Sequence, residues 1–538
     1  SPVSGLNFQG GFGRLNKAAL LKSNRWDFQT TLQKKHFPHL HYFVEFIDRN
    51  LLKTNQKSNW LRQRGHFDYQ FKFLQPIFEY EGEIKKEART DTSQTGFRYD
   101  SYTAKLQLSP GRVLQVSASY NYRNDKLRQA GLFLPKSVAR TQSYFLKIYN
   151  WHNIRAKASY IHRMRDFADP EQPNSRTDLA DLQLGYRPRH GGVQARMNYQ
   201  ISNTQIARQE EVFEKVKEGE GNYRFDEQFQ EFVPDPFGDF IRRVFKTNDF
   251  IPVVELRFRT LLRLQPGRFF LKSKIKGWLA KILNPVSTET FLRINEKTRE
   301  RDVSKIYLLN LSHFQQDSTT IFGSMELRQD IHLWENRRKF SLRFRFIHRK
   351  EKNNQFIDGG QDRRVREQSL RLIAQLSHHL STQVEVRHQE EDRLFKSILR
   401  EDRQVRANSL IWDLVYRPRR RLELGLKSEF SFNRDLVPNP VTRANLVAFA
   451  PRATYSLSRK GRFRGQIEWT RVTVAPLNRL IPFEVANGNK PGVTLRWNLA
   501  LEYRIARNMQ ASLSYFGRSE PDRPRVQHIA KMEMRAFF

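Results

Sequence analysis

Cysteine is absent from this chain of 538 residues, which excludes disulfide staples, thiolate metal sites and thiol nucleophiles. Hydrophobic residues make up only 38%, and mean hydropathy is −0.71. No run of about 18 uncharged apolar residues occurs, so helical membrane spans are excluded. An initiator methionine, a basic leader and an apolar signal core are missing at Ser1, so the chain reads as processed or as part of a longer precursor. Negative charge is in short supply: 94 Lys and Arg stand against 56 Asp and Glu, a formal net charge of +38.

Aromatic residues are plentiful, with 41 Phe, 18 Tyr and 8 Trp. Disordered chains are poor in such residues, so low hydropathy here does not mean disorder. The two facts are reconciled by strands that are apolar on one face only. Leu114, Val116, Ala118, Tyr120 and Tyr122 alternate with Gln115, Ser117, Ser119 and Asn121. Phe340, Leu342, Phe344 and Phe346 alternate with Lys339, Ser341, Arg343 and Arg345, and Val493, Leu495, Trp497, Leu499 and Leu501 with Thr494, Arg496 and Asn498. Runs of about 10 residues are long enough for a tilted strand to cross a bilayer.

Tight connections join the runs in pairs: Ser109-Pro110-Gly111-Arg112, Gln265-Pro266-Gly267-Arg268 and Ser458-Arg459-Lys460-Gly461. Proline and glycine there supply turn dihedrals and stop the ladder. Between pairs, Arg123 to Arg140, Met164 to Thr177 and Lys350 to Arg366 are polar and read as long loops. The pattern predicts an all-β fold of about 24 strands (between about 22 and 26) with short turns at one end and long loops at the other. Residues 1–64 are the least regular and read as an irregular segment with the first strand or strands; residues 65–538 carry the main pattern, interrupted by an insert at 207–250.

The last run fixes an address. Ala530, Met532, Met534, Ala536 and Phe538 share one face, Gln527, Lys531, Glu533 and Arg535 the other, and the chain ends on the aromatic. This strand resembles the closing strand of a large bacterial outer-membrane β-barrel. The resemblance implies a closed antiparallel transmembrane barrel with periplasmic turns and extracellular loops. It implies that Met534, Ala536 and Phe538 belong to the signal read by the barrel-insertion machinery, and that lipid and lipopolysaccharide surround the protein. A soluble β-sandwich is the competing all-β reading. TonB-dependent receptors and pilus ushers have similar strand numbers, but their plug domains have no counterpart of matching size here. The lipopolysaccharide-export barrel normally carries cysteines that this chain lacks.

Two groups of residues are candidates for function. In the insert, Glu210, Glu211, Glu214, Glu218, Glu220, Asp226, Glu227, Glu231, Asp235 and Asp239 make an acidic segment within a basic chain, punctuated by Tyr223, Phe225, Phe232 and Phe240. A loop this long is usually functional or disordered, and its aromatics predict that it packs on something: a lumen, as constriction or plug, or a partner. On the strands, polar parity places Arg257, Arg259, Arg263, Lys272, Lys274, Lys276, Arg343, Arg345, Arg371, Arg464, Arg496 and Arg504 in the lumen, with Val254, Leu256 and Phe258 toward lipid. Such rings of cations favour anions. The plainer expectation is that luminal Glu255, Glu385, Glu423, Glu429, Glu468, Glu502 and Glu533 pair with them.

His36, His39 and His41 lie close in sequence, and His39 and His41 share a strand face. Sharing a face permits metal binding but does not imply it, and interfacial histidines are the favoured reading, so no metal site or cofactor is assigned. No nucleophile elbow, phosphate loop or paired-carboxylate motif occurs. The reading is a translocation pore or transporter with a basic, anion-attracting lumen gated by the acidic segment, and no role for nucleic acid. A barrel anchoring a periplasmic or surface protein complex is the alternative, and an enzyme comes third.

Overall fold

In the computed structural model, residues 5–17, 21–52, 56–88, 94–172, 174–189, 191–227, 230–269, 283–300, 305–306, 310, 313–335, 337, 339–355, 360–396, 401–457, 460–477, 479, 481–506, 508–521, 523 and 525–536 are described. Among them run β1 (Leu6–Lys17), β2 (Leu21–Leu32), β3 (His39–Leu51), β4 (Gln56–Asp68), β5 (Leu74–Ala88), β6 (Gln94–Leu108), β7 (Leu114–Gln129), β8 (Leu132–Trp151), β9 (Ile154–Phe167), β10 (Ser175–Tyr186) and β11 (Val193–Lys215). The insert holds β12 (Gly221–Asp226) and β13 (Glu231–Gly238), and β14 (Phe240–Leu264) leads out of it into a single helical turn, α1 (Pro266–Phe269). Then follow β15 (Val286–Thr298), β16 (Thr320–Leu333), β17 (Phe340–Asn353), β18 (Gln361–Gln375), β19 (Leu380–Phe395), β20 (Arg403–Arg419), β21 (Leu422–Asp435), β22 (Thr442–Leu457) and β23 (Gly461–Ala475). A second short helix, α2 (Phe483–Ala486), precedes β24 (Gly492–Ala506), β25 (Met509–Ser519) and β26 (Gln527–Ala536). The fold is all-β and antiparallel. Setting aside the β12–β13 hairpin, the 26 strands leave 24 in the meander.

The chain divides into two compact units, Ser1–Arg189 with Ala195–Thr204 and Pro252–Phe258, and His190–Gln194 with Gln205–Ile251 and Arg259–Phe538. In the first, β1 to β11 pair in sequence order. In the second, β15 to β26 do the same.

Burial is inverted relative to a water-soluble sheet. In the second unit Phe344, Leu370, Val386 and Leu410 are direct cross-strand neighbours, and each is at least 40% exposed. The charged neighbour on the other face, Glu385, is 3% exposed. The first unit repeats this: Phe12, Trp26 and Phe46 form an exposed ladder with ring centroids 5.6 Å apart at each step, while Glu45 is buried. A sandwich would bury the apolar rows against a second sheet. In each unit they stay open, and contiguous apolar surface on this scale calls for a bilayer or a partner.

Three segments read as loops are strand in whole or in part. Arg123 to Arg140 is the β7–β8 hairpin, turned at Ala130 and Gly131, whose φ values are 48° and 84°. Two consecutive residues at positive φ match the twist of the flanking strands in a two-residue hairpin. Met164 to Thr177 and Lys350 to Arg366 likewise contain the ends of β9 and β17 and the starts of β10 and β18. The ladder needs only backbone donors and acceptors, so strands run on past the end of the apolar alternation. Among the fully described connections of the first unit the turns are short at both ends. In the second unit the segments 299–319, 476–491 and the insert lie at one end of their strands. At the other end the connection from Leu264 to Val286, where a tight turn was expected at Gln265 to Arg268, is as long as 299–319, so the expected asymmetry holds only in part. The described residues of 1–64, read as irregular, form β1, β2, β3 and most of β4, because cross-strand register there is continuous despite weak alternation.

Polar-face charges are often paired within one strand, two residues apart: Arg98–Asp100 at 2.9 Å, Arg123–Asp125 at 2.8 Å and Arg257–Glu255 at 2.7 Å. Residues i and i+2 share a face, so this spacing brings the groups together without help from a neighbouring strand.

The 299–319 segment is tied back by Asp317, which pairs with Lys352 and, at 3.4 Å, with Lys396. The Lys352 ammonium, bonded to Asp317, holds its carboxyl below the ordinary carboxylate range. A depressed folded-state pKa stabilises above the unfolded value, near 3.8 here, and that contribution is lost as pH falls through the folded value. Hydrogen exchange of the described amides of 313–320 is therefore expected to accelerate below about pH 4, beyond the intrinsic rate. Asp317→Asn should show the faster exchange already at neutral pH and no acid step.

Candidate functional site at the acidic hairpin

The insert folds as a hairpin. β12 and β13 pair from Asp226–Glu231 back to Gly221–Gly238, with a bulge between Gly221 and Tyr223. Gly238 is required where the strands cross: a Cβ there would clash with the Tyr223 carbonyl oxygen. The aromatics that punctuate the sequence are gathered on one side. Phe232 stacks on Phe213 of β11 with centroids 3.8 Å apart, and Phe225 and Phe240 each sit 4.9 Å from Phe232. Pairs of this kind add about 0.5–1.5 kcal/mol beyond area burial. They hold the hairpin on its own stalk, with Glu211 and Glu214 of β11 paired to Arg242 and Arg243 of β14.

The carboxylates of the hairpin reach basic residues of other elements in the second unit. Asp226 accepts from Lys490 at 2.8 Å, Asp235 from Arg518 at 2.8 and 2.9 Å, and Glu218 from Arg523 at 2.8 Å. Glu231 lies 3.0 Å from Arg403, whose other nitrogen donates to Glu484 of α2 at 2.7 Å. Glu484 also meets Arg393 at 2.5 Å, and Arg518 holds Glu520 at 2.7 Å. Arg403, Arg518, Asp226, Asp235 and Glu520 are all buried. Such pairs hold when each charge keeps its counter-ion; removing one partner of a buried pair costs about 3–5 kcal/mol. Burial pushes the Glu231 carboxyl above its ordinary value, and the Glu484 charge adds to this against the pull of Arg403.

A second element joins the hairpin. The segment 476–491 lays Ile481, Val485 and Ala486 on Val405, Ala444, Leu446 and Val472, forming a buried apolar cluster. Its backbone is held by Asn433, whose Nδ2 donates to the Val485 carbonyl at 2.6 Å, and its Asn489 accepts from Arg496 at 2.8 Å.

Of the acidic residues expected to act, Glu218, Asp226, Glu231 and Asp235 are seated on cations of other elements. Glu211 and Glu214 brace the stalk. Glu210, Glu220 and Glu227 are exposed, and Asp239 contributes its carbonyl to Val216 at 2.7 Å.

The basic residues expected on the polar face are mostly beside carboxylates: Arg257 with Glu255, Arg263 with Glu335, Arg345 with Asp330, Arg371 with Glu385, Arg464 with Glu502 and Arg496 with Glu468. Glu423, Glu429 and Glu533 also have basic partners, in Arg417, Lys427 and Arg535. Arg343 is directly opposite Arg371 on the neighbouring strand. Arg259 and Arg504 are exposed. Lys272, Lys274, Lys276 and Phe538 lie outside the described residues. Met534 and Ala536 sit on the exposed apolar face of β26, opposite Ala511 and Met509. Val254, Leu256 and Phe258, expected toward lipid, are buried instead. Strand parity says which face a side chain takes but not what covers that face.

Arg393, Arg403, Glu484, Lys490, Arg518 and Glu520 were not legible as a site. A faint signal existed in Val405, Ala444, Leu446 and Val472, apolar residues at positions of polar parity, which mark a polar face that is covered.

No known family's sequence profile matches the chain, and no curated protein matches it. Among solved structures it is similar to the siderophore receptor PirA from Pseudomonas aeruginosa, at 8% identity over 99% of this chain and 80% of that one, with a TM-score of 0.32. It is similar to the ferric enterobactin receptor PfeA from Pseudomonas aeruginosa, at 7% identity over 93% of this chain and 75% of that one, with a TM-score of 0.36. The RagAB peptide transporter is another, at 8% identity over 96% and 76%, with a TM-score of 0.33.

Proposed function

We propose that the chain is a barrel of the bacterial outer membrane that works as a transport pore, with a basic lumen latched by the acidic hairpin and the 476–491 segment. The exposed apolar rows of both units support the membrane setting, since lipid is the solvent in which such a surface is stable. The observation that carries the gating is the seating of Asp226, Glu231 and Asp235 on Lys490, Arg403 and Arg518. A hairpin held by charges that a cargo or a partner can compete for is a removable obstruction rather than a fixed wall.

The cargo class that follows is anionic. Carboxylates neutralise many of the cations on the polar face, and withdrawal of the hairpin would strip Arg403 and Arg518 of one anion each. The unlatched state is thus more cationic than the latched one. Reversal potentials in planar bilayers under a salt gradient test this. The purified full chain is expected to prefer anions, and the preference should increase when residues 217–238 are replaced by a two-residue turn. Cation preference in both forms would overturn the basic lumen. Negligible conductance in both would favour a barrel that anchors a protein complex.

A further inference from the structure

In the first unit, the register of β3 and β4 assembles a cluster that neither strand carries alone. His39 is opposite Asp68, and His41 is opposite His66. His66 and Asp68 are two apart on one strand and share its face. His39 Nδ1 and His66 Nε2 each lie 2.9 Å from the same oxygen, Asp68 Oδ1. These three ligand atoms all fall within 4.8 Å of one another.

The geometry points to a site for a borderline divalent metal ion of the Zn²⁺ or Cu²⁺ class, held by His39 Nδ1, His66 Nε2 and Asp68 Oδ1. Metal–nitrogen and metal–oxygen bonds of about 2.0–2.2 Å set neighbouring ligands roughly 3 Å apart, and two edges of the triangle already have that length. Two imidazoles and one carboxylate suit this class of ion better than Ca²⁺ or Mg²⁺, which take oxygen ligands.

The surrounding groups point the same way. Gln75 Nε2 donates to the other carboxylate oxygen, Asp68 Oδ2, at 2.8 Å, which fixes the carboxylate and leaves Oδ1 for the ion. On the far side of the His66 ring, Nδ1 lies 3.4 Å from Glu79 Oε1. His66 thus has a carboxylate on each side of its ring, the arrangement in which an outer carboxylate orients a metal-binding imidazole. Access is open from solvent: the His39 and His66 side chains are 37% and 33% exposed.

The test is Cu²⁺ electron paramagnetic resonance with Zn²⁺ calorimetry on the full chain folded in detergent. One Cu²⁺ per chain with superhyperfine coupling to two nitrogens is expected. His39→Gln and His66→Gln should each reduce the coupling to one nitrogen, and Asp68→Asn should weaken Zn²⁺ binding. Gln75→Ala should weaken it by about 10–100-fold, as loss of a supporting hydrogen bond does. His36→Gln, in the adjoining turn, should change neither readout. Strand content by circular dichroism shows which variants are folded, and Gln75→Ala leaves all three ligands in place should a ligand variant fail. No stoichiometric binding, or two-nitrogen coupling that survives both histidine variants, would overturn the site and leave a hydrogen-bonded His–Asp–His cluster.

Discussion

Excising residues 217–238 and closing the gap with Asn-Gly is expected to raise single-channel conductance and shift the channel from mostly closed to mostly open. The cut is structurally clean. Val216 N–H donates to the Asp239 carbonyl at 2.7 Å, so the ends to be rejoined are already hydrogen-bonded neighbours. A two-residue turn of Asn-Gly type closes such a pair in register. What is lost is the set of charge-assisted bonds at Lys490, Arg403, Arg518 and Arg523. Taken at about 1 kcal/mol net each after desolvation, they bias the latch by roughly 3–4 kcal/mol. A bias of that size corresponds to a change in open population of more than about a hundredfold. Single-channel recordings of parent and excised chains read it directly. Equal open probabilities would show that the hairpin does not occlude the path.

Arg403→Met is expected to release the hairpin and the 476–491 segment together. Arg403 is the one described side chain that bonds both Glu231 and Glu484, and it is buried. Methionine keeps much of the volume but leaves two carboxylates facing each other, and breaking a buried pair in this way costs about 3–5 kcal/mol. Arg393 still holds Glu484, so Glu231 bears most of the loss. Lysine is no substitute, because one ammonium lacks the planar fork that serves two carboxylates at once. Limited proteolysis should show new cleavage in 217–238 and in 476–491 in Arg403→Met. Adding Glu231→Gln should restore much of the protection, since it removes the carboxylate left unpaired while Arg393 keeps Glu484. If cleavage appears at neither site, the ionic fork does not hold the latch.

Much of the architecture was legible because it repeats at period two. Runs such as Leu114 to Tyr122 and Val493 to Leu501 announce both their strand and their parity, and Pro110-Gly111 announces its turn. The turns at Ala130–Gly131 and His152–Asn153 were harder: three of those four residues adopt positive φ without being glycine, and composition hardly marks them. The strand ends around Lys136 and Arg363 were hidden for a different reason, since a ladder persists on polar residues once hydrophobic alternation has stopped. The acidic segment was visible as a candidate from its charge and aromatics, but its receptors were not. Asp235 and Arg518 are 283 positions apart, and no local pattern reports a contact set by folding. The histidine cluster failed for the same reason: His39 was noted, but His66 and Asp68 join it only through the register of β3 and β4.

The same-strand ion pairs bear on how so basic a chain is assembled. Arg98–Asp100, Arg123–Asp125, Arg257–Glu255 and Arg535–Glu533 need no second strand to form. A strand approaching the growing sheet edge brings its own counter-ion, so its polar face is partly neutral before any neighbour has been recognised. At these positions charge places little constraint on the order in which strands are added, whereas cations such as Arg345 and Arg371 wait for the carboxylate of a neighbouring strand.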